Sequence, residues 1–127
     1  MKLLKEAAYP RNQYTDRLED ICKEYGYEVR AVNHKYTDSD KLYPYIQIYP
    51  SNFNAPRGSV DWFLPSIYFD DPYGSGEGKF SIGTTSYGSL KLSEMTLFMI
   101  AMNKAYDLVR ILSKFDFSKL PVVKKGA

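Results

Sequence analysis

Cysteine and histidine are nearly missing from this sequence, which has one residue of each among 127. With Cys22 as the single cysteine, an internal disulfide bond is excluded, and so is a metal site built from several cysteines. Cys22 falls on the apolar stripe of a predicted helix, where a thiol normally acts as a small buried hydrophobic group. We therefore assign structural roles to Cys22 and His34, and we expect no catalytic residue, no metal and no cofactor.

Long hydrophobic runs are missing as well. No apolar segment approaches the roughly 18 residues that a membrane-spanning helix needs. The first ten residues, MKLLKEAAYP, are too short and too charged for a signal peptide. We therefore expect a cytoplasmic protein that makes no contact with a membrane.

The sequence has no large excess of charge of either sign. Its 17 Lys and Arg against 15 Asp and Glu give a net charge of +2, which Lys124 and Lys125 alone account for. Proteins that hold nucleic acid by neutralising phosphates usually carry a basic excess over the whole domain. The charge therefore argues against a strong phosphate binder and leaves the class of partner open.

Tyrosine is the residue in surplus, with 12 Tyr against 7 Phe and 1 Trp. The hydrophobic content of 44% and the charged content of 25% are those of an ordinary globular protein. A chain of 127 residues fits one domain, so we assign residues 1–127 to a single domain. We expect its last segment, 118–127, to be a flexible tail.

The apolar periodicity predicts one helix followed by four strands. The helix is indicated by four apolar residues at helical spacing, Leu18, Ile21, Cys22 and Tyr25. Thr15 or Asp16 is expected to cap its start, and Gly26 to end it in a left-handed conformation. A period of two then predicts strands over residues 27–35, 42–49, 60–69 and 79–84. In the first strand, Tyr27, Val29 and Ala31 are expected to share one face.

The last element is a long helix that Ser93 is expected to cap and that begins at Glu94. Its first half is apolar on nearly every side, which favours a core helix lying across the sheet. The alternative is a homodimer through this helix, with Met95, Met99 and Met102 in the interface. The elements together predict an α+β fold in the order α-β-β-β-β-α, in which an antiparallel sheet of about four strands packs against a long C-terminal helix.

The second predicted strand differs in its two faces. Leu42, Ile46 and Ile48 point to one side, and Tyr43, Tyr45, Gln47 and Tyr49 point to the other. Pro44 cannot donate to a neighbouring strand, so the strand is predicted to lie at an edge or to be paired on one side there. The candidate binding residues are these three tyrosines, the flanking Tyr36 and Phe53, and Arg57 as a source of charge. Whether a helix covers the tyrosines stays open at this point.

One pattern suggests an enzyme: Glu77-Gly78-Lys79, downstream of Asp61 or Asp70. Metal-dependent nucleases of the PD-(D/E)xK class place an acid on one strand and E-x-K on the next. Two carboxylates then hold Mg²⁺ while the lysine orients the attacking water. The sequence departs from this pattern, because no acid–proline pair precedes Asp61. In addition, the middle residue of E-x-K, normally a buried hydrophobic one, is Gly78.

The segment 79–115, KFSIGTTSYGSLKLSEMTLFMIAMNKAYDLVRILSKF, resembles a pattern found in small accessory proteins of Gram-positive phages and mobile elements. In that pattern a strand ending in S-I-G enters a loop with a further glycine, and a long serine-capped helix closes the domain. The resemblance implies an inhibitor of host defence, anti-CRISPR proteins included, or an auxiliary nucleic-acid binder. It also implies the cytoplasm of a bacterial host cell, and it assigns no site residue.

Three functions follow from these observations. The leading hypothesis is a non-catalytic binding protein of phage or mobile-element type. It would inhibit a bacterial protein or nucleoprotein, such as a CRISPR effector, by occupying a surface. The first alternative is a nucleic-acid-binding module that uses the tyrosine-rich strand face, since aromatic rings stack on bases. The second alternative is the metal-dependent nuclease.

Overall fold

A computed structural model describes residues 9–36, 42–52, 54–71, 78–83 and 90–122. Four antiparallel strands form one sheet in sequence order, namely β1 (Tyr27–Tyr36), β2 (Leu42–Pro50), β3 (Ser66–Asp70) and β4 (Lys79–Gly83). Helix α1 (Gln13–Lys23) precedes the sheet and helix α2 (Leu92–Leu112) follows it. Two short 3-10 helices cover Val60–Phe63 and Phe117–Lys119. The predicted α+β fold and its element order are confirmed.

Helix α1 begins earlier than the sequence suggested, because Asn12 caps it. The Asn12 side chain accepts hydrogen bonds from the backbone N–H groups of Tyr14 and Thr15, at 2.9 and 3.1 Å. The Thr15 hydroxyl accepts in return from the Asn12 N–H at 2.9 Å, which completes a reciprocal cap. At the other end Gly26 has a φ of +76°, the left-handed conformation that was predicted for it.

A β-bulge in β1 changes which residues face the core. Val29 pairs with Ile48 and Ala31 pairs with Gln47, so Arg30 is the extra residue between them. The extra residue shifts the alternation by one position. Val32 is therefore buried, while Ala31 is only half-buried, and the prediction that Ala31 shares a face with Val29 is wrong.

Strand β2 lies inside the sheet, between β1 and β3, and not at an edge. Its pairing with β3 begins only at Tyr45, opposite Asp70. Pro44 pairs with His34 of β1 and lies just beyond the β2–β3 ladder. The missing N–H of Pro44 is therefore tolerated because the strand is paired on one side at that residue, which was the second of the two predicted explanations.

The predicted strand over residues 60–69 is two elements. Val60–Phe63 forms a 3-10 helix, and only Ser66–Asp70 forms a strand. Pro65 separates them, and its carbonyl accepts a hydrogen bond of 2.6 Å from the buried hydroxyl of Tyr27. This hydrogen bond connects Pro65, which separates the 3-10 helix from β3, to the start of β1. At Pro65 a tertiary contact therefore takes the place of strand pairing.

Helix α2 begins at Leu92, and Ser93 does not cap it. The Glu94 carboxylate accepts a 3.0 Å hydrogen bond from the backbone N–H of Lys91, the residue before the helix. A carboxylate in the first turn also interacts favourably with the helix dipole. Lys91 is not a usual capping residue, so the sequence carried little signal for this boundary.

Both helices contribute to a single core on one side of the sheet. The buried residues of that core include Leu18, Cys22, Val29, Val32, Ile46, Ile48, Ile67, Phe69, Ala101, Ala105, Leu108 and Leu112. Only one side of α2 faces this core, and large apolar residues on its other side are exposed. Within the described residues, no helix is long and apolar enough to span a membrane.

The chain remains packed beyond the point where we expected a tail to begin. Phe117 stacks on the Phe69 ring, with 3.9 Å between centroids and 17° between planes. Leu120 is 2% exposed and belongs to the core. The packed chain therefore extends at least to Leu120, past the expected boundary at residue 118, and residues 123–127 lie outside the described part.

Candidate functional site

The strand with two unlike faces presents its tyrosines on the side of the sheet opposite the core. Ile46 and Ile48 are completely buried beneath the helices. Tyr43, Tyr45 and Tyr49 alternate with them and are half-buried. We call this side of the sheet, with Tyr43, Tyr45, Tyr49 and Tyr68, the Tyr face. The described helices both pack on the opposite side, against the core residues of the sheet.

Tyr68 joins the Tyr face from the neighbouring strand β3. Its ring meets that of Tyr49 edge to face, with centroids 5.9 Å apart and planes at 81°. The Tyr68 hydroxyl lies 3.3 Å from the Tyr49 hydroxyl, to which it donates a hydrogen bond. Gly83 of β4 leaves room for the Tyr68 ring, since a Cβ atom there would come within 3.2 Å of it. The two rings therefore form a supported pair.

Arg30 covers part of the same pair from β1. Its guanidinium carbon lies 5.1 Å from the centroid of the Tyr49 ring, within the range of a cation–π contact. The Arg30 Nε is also 3.3 Å from a carboxylate oxygen of Glu28. Arg30 lies two residues after Glu28, which pairs with Tyr49, so alternation places its side chain on the Tyr side.

The charges on the Tyr face are balanced. Among the residues whose side chains the structure describes, Glu28 and Asp70 are acidic and Arg30 and Lys79 are basic. Asp70 and Lys79 lie directly opposite each other on β3 and β4. Opposite charges in that position stabilise each other. The face is therefore an aromatic surface bordered by paired charges rather than a basic patch.

The pKa values of three side chains, Tyr68, Cys22 and His34, are shifted in the direction that favours the uncharged form. The hydrogen bond with Tyr49, together with desolvation, raises the pKa of Tyr68, so its hydroxyl stays neutral at pH 7. Burial raises the pKa of the Cys22 thiol to about 12. Burial also lowers the pKa of His34, which favours the neutral imidazole. Cys22 is buried, as the sequence predicted.

Arg57 is bound to the first turn of helix α2. Its Nε donates to Glu94 Oε2 at 2.6 Å and its Nη2 donates to Glu94 Oε1 at 3.1 Å. The guanidinium also stacks over Trp62 at 4.7 Å from the ring centroid. These hydrogen bonds, first that from Arg57 and then that from Lys91, lower the pKa of Glu94 to about 2. Arg57 is therefore engaged by Glu94, and its contribution of charge to the tyrosine surface stays a prediction.

Two further candidate residues stay predictions. Tyr36 ends β1 and pairs with Leu42, but its side chain lies outside the described part of the chain. Phe53 also lies outside the described residues. The site that the structure supports is therefore Tyr43, Tyr45 and Tyr49, extended by Tyr68 and Arg30.

The residues of the nuclease pattern are only partly placed. Asp61 lies in a 3-10 helix, whereas Asp70 and Lys79 are neighbours on adjacent strands. Glu77 lies outside the described residues, so this alternative stays a prediction. In the described part of the chain, no three acidic, histidine or cysteine side chains come together as metal ligands would.

The sequence did not identify Tyr68 and Arg30 as residues of the candidate site, and the reason differs between the two. Tyr68 alternates with the apolar Ile67 and Phe69, which is a usable signal. The predicted strand was extended back through Pro65, however, and its apolar face was assigned to Val60, Trp62 and Leu64. Arg30 was recognised as an outward residue of β1. Its place over Tyr49 depends on the bulge and the register, which a single sequence does not reveal.

No family model, no curated protein and no solved structure matches this chain.

Proposed function

We propose that this chain is a non-catalytic binding protein whose Tyr face occupies the surface of a bacterial protein. The observation that carries the proposal is the position of Tyr49 and Tyr68. They form one supported aromatic pair on the side of the sheet opposite the helices. Tyrosine is well suited to such contacts because it offers a large amphipathic area and has only two χ angles to immobilise.

Preorganisation supports a binding role for this pair. The cation–π contact from Arg30 and the hydrogen bond between the two hydroxyl groups hold the rings before any binding partner arrives. A surface that is already ordered loses little conformational entropy on association. Such rings can therefore act as the anchors of an interface.

The balanced charge favours a protein over a nucleic acid as the partner. Single-stranded nucleic acid is held by aromatic stacking together with a positively charged groove that follows the backbone. On the Tyr face, Arg30 is paired with Glu28, and Lys79 lies opposite Asp70. An aromatic centre with a polar rim of paired charges is typical of protein–protein interfaces.

The bacterial partner and the inhibitory role rest on the resemblance of residues 79–115 to accessory proteins of phages and mobile elements. A protein of that class acts in the cytoplasm of its host by blocking a surface. A CRISPR effector is one candidate for the blocked protein or nucleoprotein.

The proposal is tested by affinity capture with matched tyrosine variants. Immobilised wild-type chain, Tyr49→Ala, Tyr68→Ala and the control Tyr14→Ala are incubated with a nuclease-treated lysate of a Gram-positive bacterium. Tyr14 is a half-buried tyrosine of α1, on the other side of the sheet. Variants enter the comparison only if their circular dichroism and melting temperature show that they fold.

The expected result is a protein that the wild type and Tyr14→Ala both retain and that Tyr49→Ala and Tyr68→Ala both lose. Capture that does not depend on the Tyr face overturns the proposal. A parallel titration with a fluorescent single-stranded oligonucleotide tests whether the partner is a nucleic acid instead. Binding of the oligonucleotide that weakens steeply with salt and is lost in Tyr45→Ala would show that the partner is a nucleic acid and not a protein.

A further inference from the structure

The outer side of helix α2 carries an apolar stripe that the core does not use. Leu92, Met95, Met99 and Tyr106 are 92, 41, 56 and 61% exposed. The neighbouring Ile100 is 46% exposed. Monomeric proteins rarely leave a contiguous apolar patch of this kind in water, and such patches commonly mark interaction sites. This surface does not depend on the Tyr face, which lies on the other side of the sheet.

The spacing of this stripe is that of a helix-pairing seam. Leu92, Met99 and Tyr106 are seven residues apart, and Met95 and the half-buried Met102 fall between them. The intervals alternate between three and four residues, as the a and d positions of a heptad do. The buried residues of α2 lie at other positions of the turn, among them Ala101, Ala105 and Leu108.

We infer that this stripe binds a second copy of the same chain, as an antiparallel helix pair with Met99 at the twofold axis. Leu92 and Tyr106 are each seven residues from Met99, so an antiparallel copy brings Leu92 beside the partner's Tyr106. The stripe spans about 21 Å at about 1.5 Å per residue. An isologous contact of this kind is the commonest form of homodimer.

The exposed area matches what a dimer needs. The exposed fractions of Leu92, Met95, Met99 and Tyr106 amount to about two and a half fully exposed large side chains. At about 200 Å² for each, this is roughly 500 Å² per copy. Burying the stripe on both copies removes about 1,000 Å², the area of a small and weak protein interface. We therefore expect a dissociation constant in the micromolar range.

Charge is consistent with the antiparallel arrangement. Between Leu92 and Tyr106 the charged residues are Glu94, which is buried, and Lys104, which lies near Gly26 on the inner side of the helix. The stripe itself is therefore uncharged, as interface centres tend to be. Opposed helix dipoles favour antiparallel over parallel pairing.

The arrangement has a consequence for the whole assembly. Helix α2 packs on the core side of the sheet, so two copies joined through α2 place their sheets on the outside. The two Tyr faces then point away from each other, on opposite surfaces of the dimer.

The test combines sedimentation with site-specific cross-linking on the full chain. Sedimentation equilibrium should show the mass rising from the 14.6 kDa of one chain toward twice that value as concentration increases. Met99→Glu should hold the chain at the monomer mass with an unchanged melting temperature at low concentration. Ser93→Glu adds the same charge at an exposed position off the stripe and should still dimerise.

Cross-linking with a short bis-maleimide fixes the direction of the helices. Two copies of the Met99→Cys variant should cross-link to each other with high yield. Two copies of Leu92→Cys should not cross-link, whereas Leu92→Cys mixed with Tyr106→Cys should give a cross-linked pair. The buried Cys22 provides the unreactive background. The inference is overturned by a monomer at every concentration, by a dimer that Met99→Glu leaves intact, or by efficient self-cross-linking of Leu92→Cys.

Discussion

Two leucines of helix α2 give the sharpest test of how the core is built. Leu108 lies on the inner side of the helix and is completely buried, whereas Leu92 lies on the outer side and is 92% exposed. Replacing each by alanine removes the same atoms from the same helix. The difference between the two effects therefore reports burial rather than helix propensity.

The expected magnitudes differ severalfold. Leu108→Ala removes a side chain from a packed cluster and leaves a cavity, which destabilises proteins by about 2–5 kcal/mol. We expect about 3 kcal/mol here, because Leu108 packs in a core shared by both helices and the sheet. Leu92→Ala changes a side chain in contact with water, and its effect should stay within about 0.5 kcal/mol.

The measurement is urea unfolding followed by the fluorescence of Trp62, the single tryptophan. Trp62 is partly buried and packs against the core, and so it reports loss of tertiary structure. A loss of about 3 kcal/mol moves the midpoint by about 1.5 M at a slope near 2 kcal/mol per M. Low protein concentration keeps dimer formation from adding to the apparent stability.

Two outcomes would refute this account of the core. One is a similar loss of stability in both variants, which would mean that the outer side of α2 is packed as tightly as the inner side. The other is a Leu108→Ala effect below about 1 kcal/mol, too small for a fully buried leucine.

Three further predictions concern single residues. Gly78→Ala should destabilise the fold by about 1–3 kcal/mol, because its Cβ would lie 2.3 Å from the Phe69 ring. Gly58→Ala should have almost no effect on stability, because its Cβ meets nothing within 4 Å. Comparable unfolding midpoints of the two variants would contradict this prediction. The pKa of Glu94 is held at about 2, below its ordinary 4.5, so its contribution to stability is present above about pH 4.5 and is lost as the pH falls toward 2. Thermal melts should accordingly show Glu94→Gln less stable than wild type at pH 7, with the gap closing in acid; a gap independent of pH would speak against the ion pair. Because burial raises the pKa of Cys22 to about 12, iodoacetamide should label it only in urea, and rapid labelling of the native chain would show that the thiol is accessible.

Elements with a strong local signal were predictable from the sequence. The buried face of α1 follows the helical spacing of Leu18 and Cys22, and Gly26 has the positive φ that its place after the helix required. The two faces of β2 also follow directly from alternation, since Ile46 and Ile48 are buried and the tyrosines between them are not. In each case neighbouring residues decide the structure.

Features that depend on distant contacts were not predictable in the same way. The segment Val60–Phe63 has the alternation of a strand, but it forms a 3-10 helix that packs on α2. The bulge at Arg30 is a property of the pairing between two strands, and it moved Ala31 to the outer face. Tertiary packing overrides local pattern at such positions.

In the candidate site too, the residues set by local pattern were predicted and those set by distant contacts were not. The tyrosines of β2 were identified from one strand, and the structure adds Tyr68 and Arg30 from its neighbours. Arg57 was assigned to the site from its distance along the chain, and the structure shows that it binds Glu94 of α2. Proximity in sequence could not reveal this bond, because Glu94 lies 37 residues away along the chain.

The most direct test of the central claim is a calorimetric titration with the partner, purified once capture has identified it. The account predicts that Tyr68→Ala weakens binding by about 10- to 100-fold, equivalent to about 1.4–2.8 kcal/mol, while Tyr14→Ala leaves it unchanged. Equal affinity for the wild type and Tyr68→Ala would contradict the claim that this face of the sheet makes the contact.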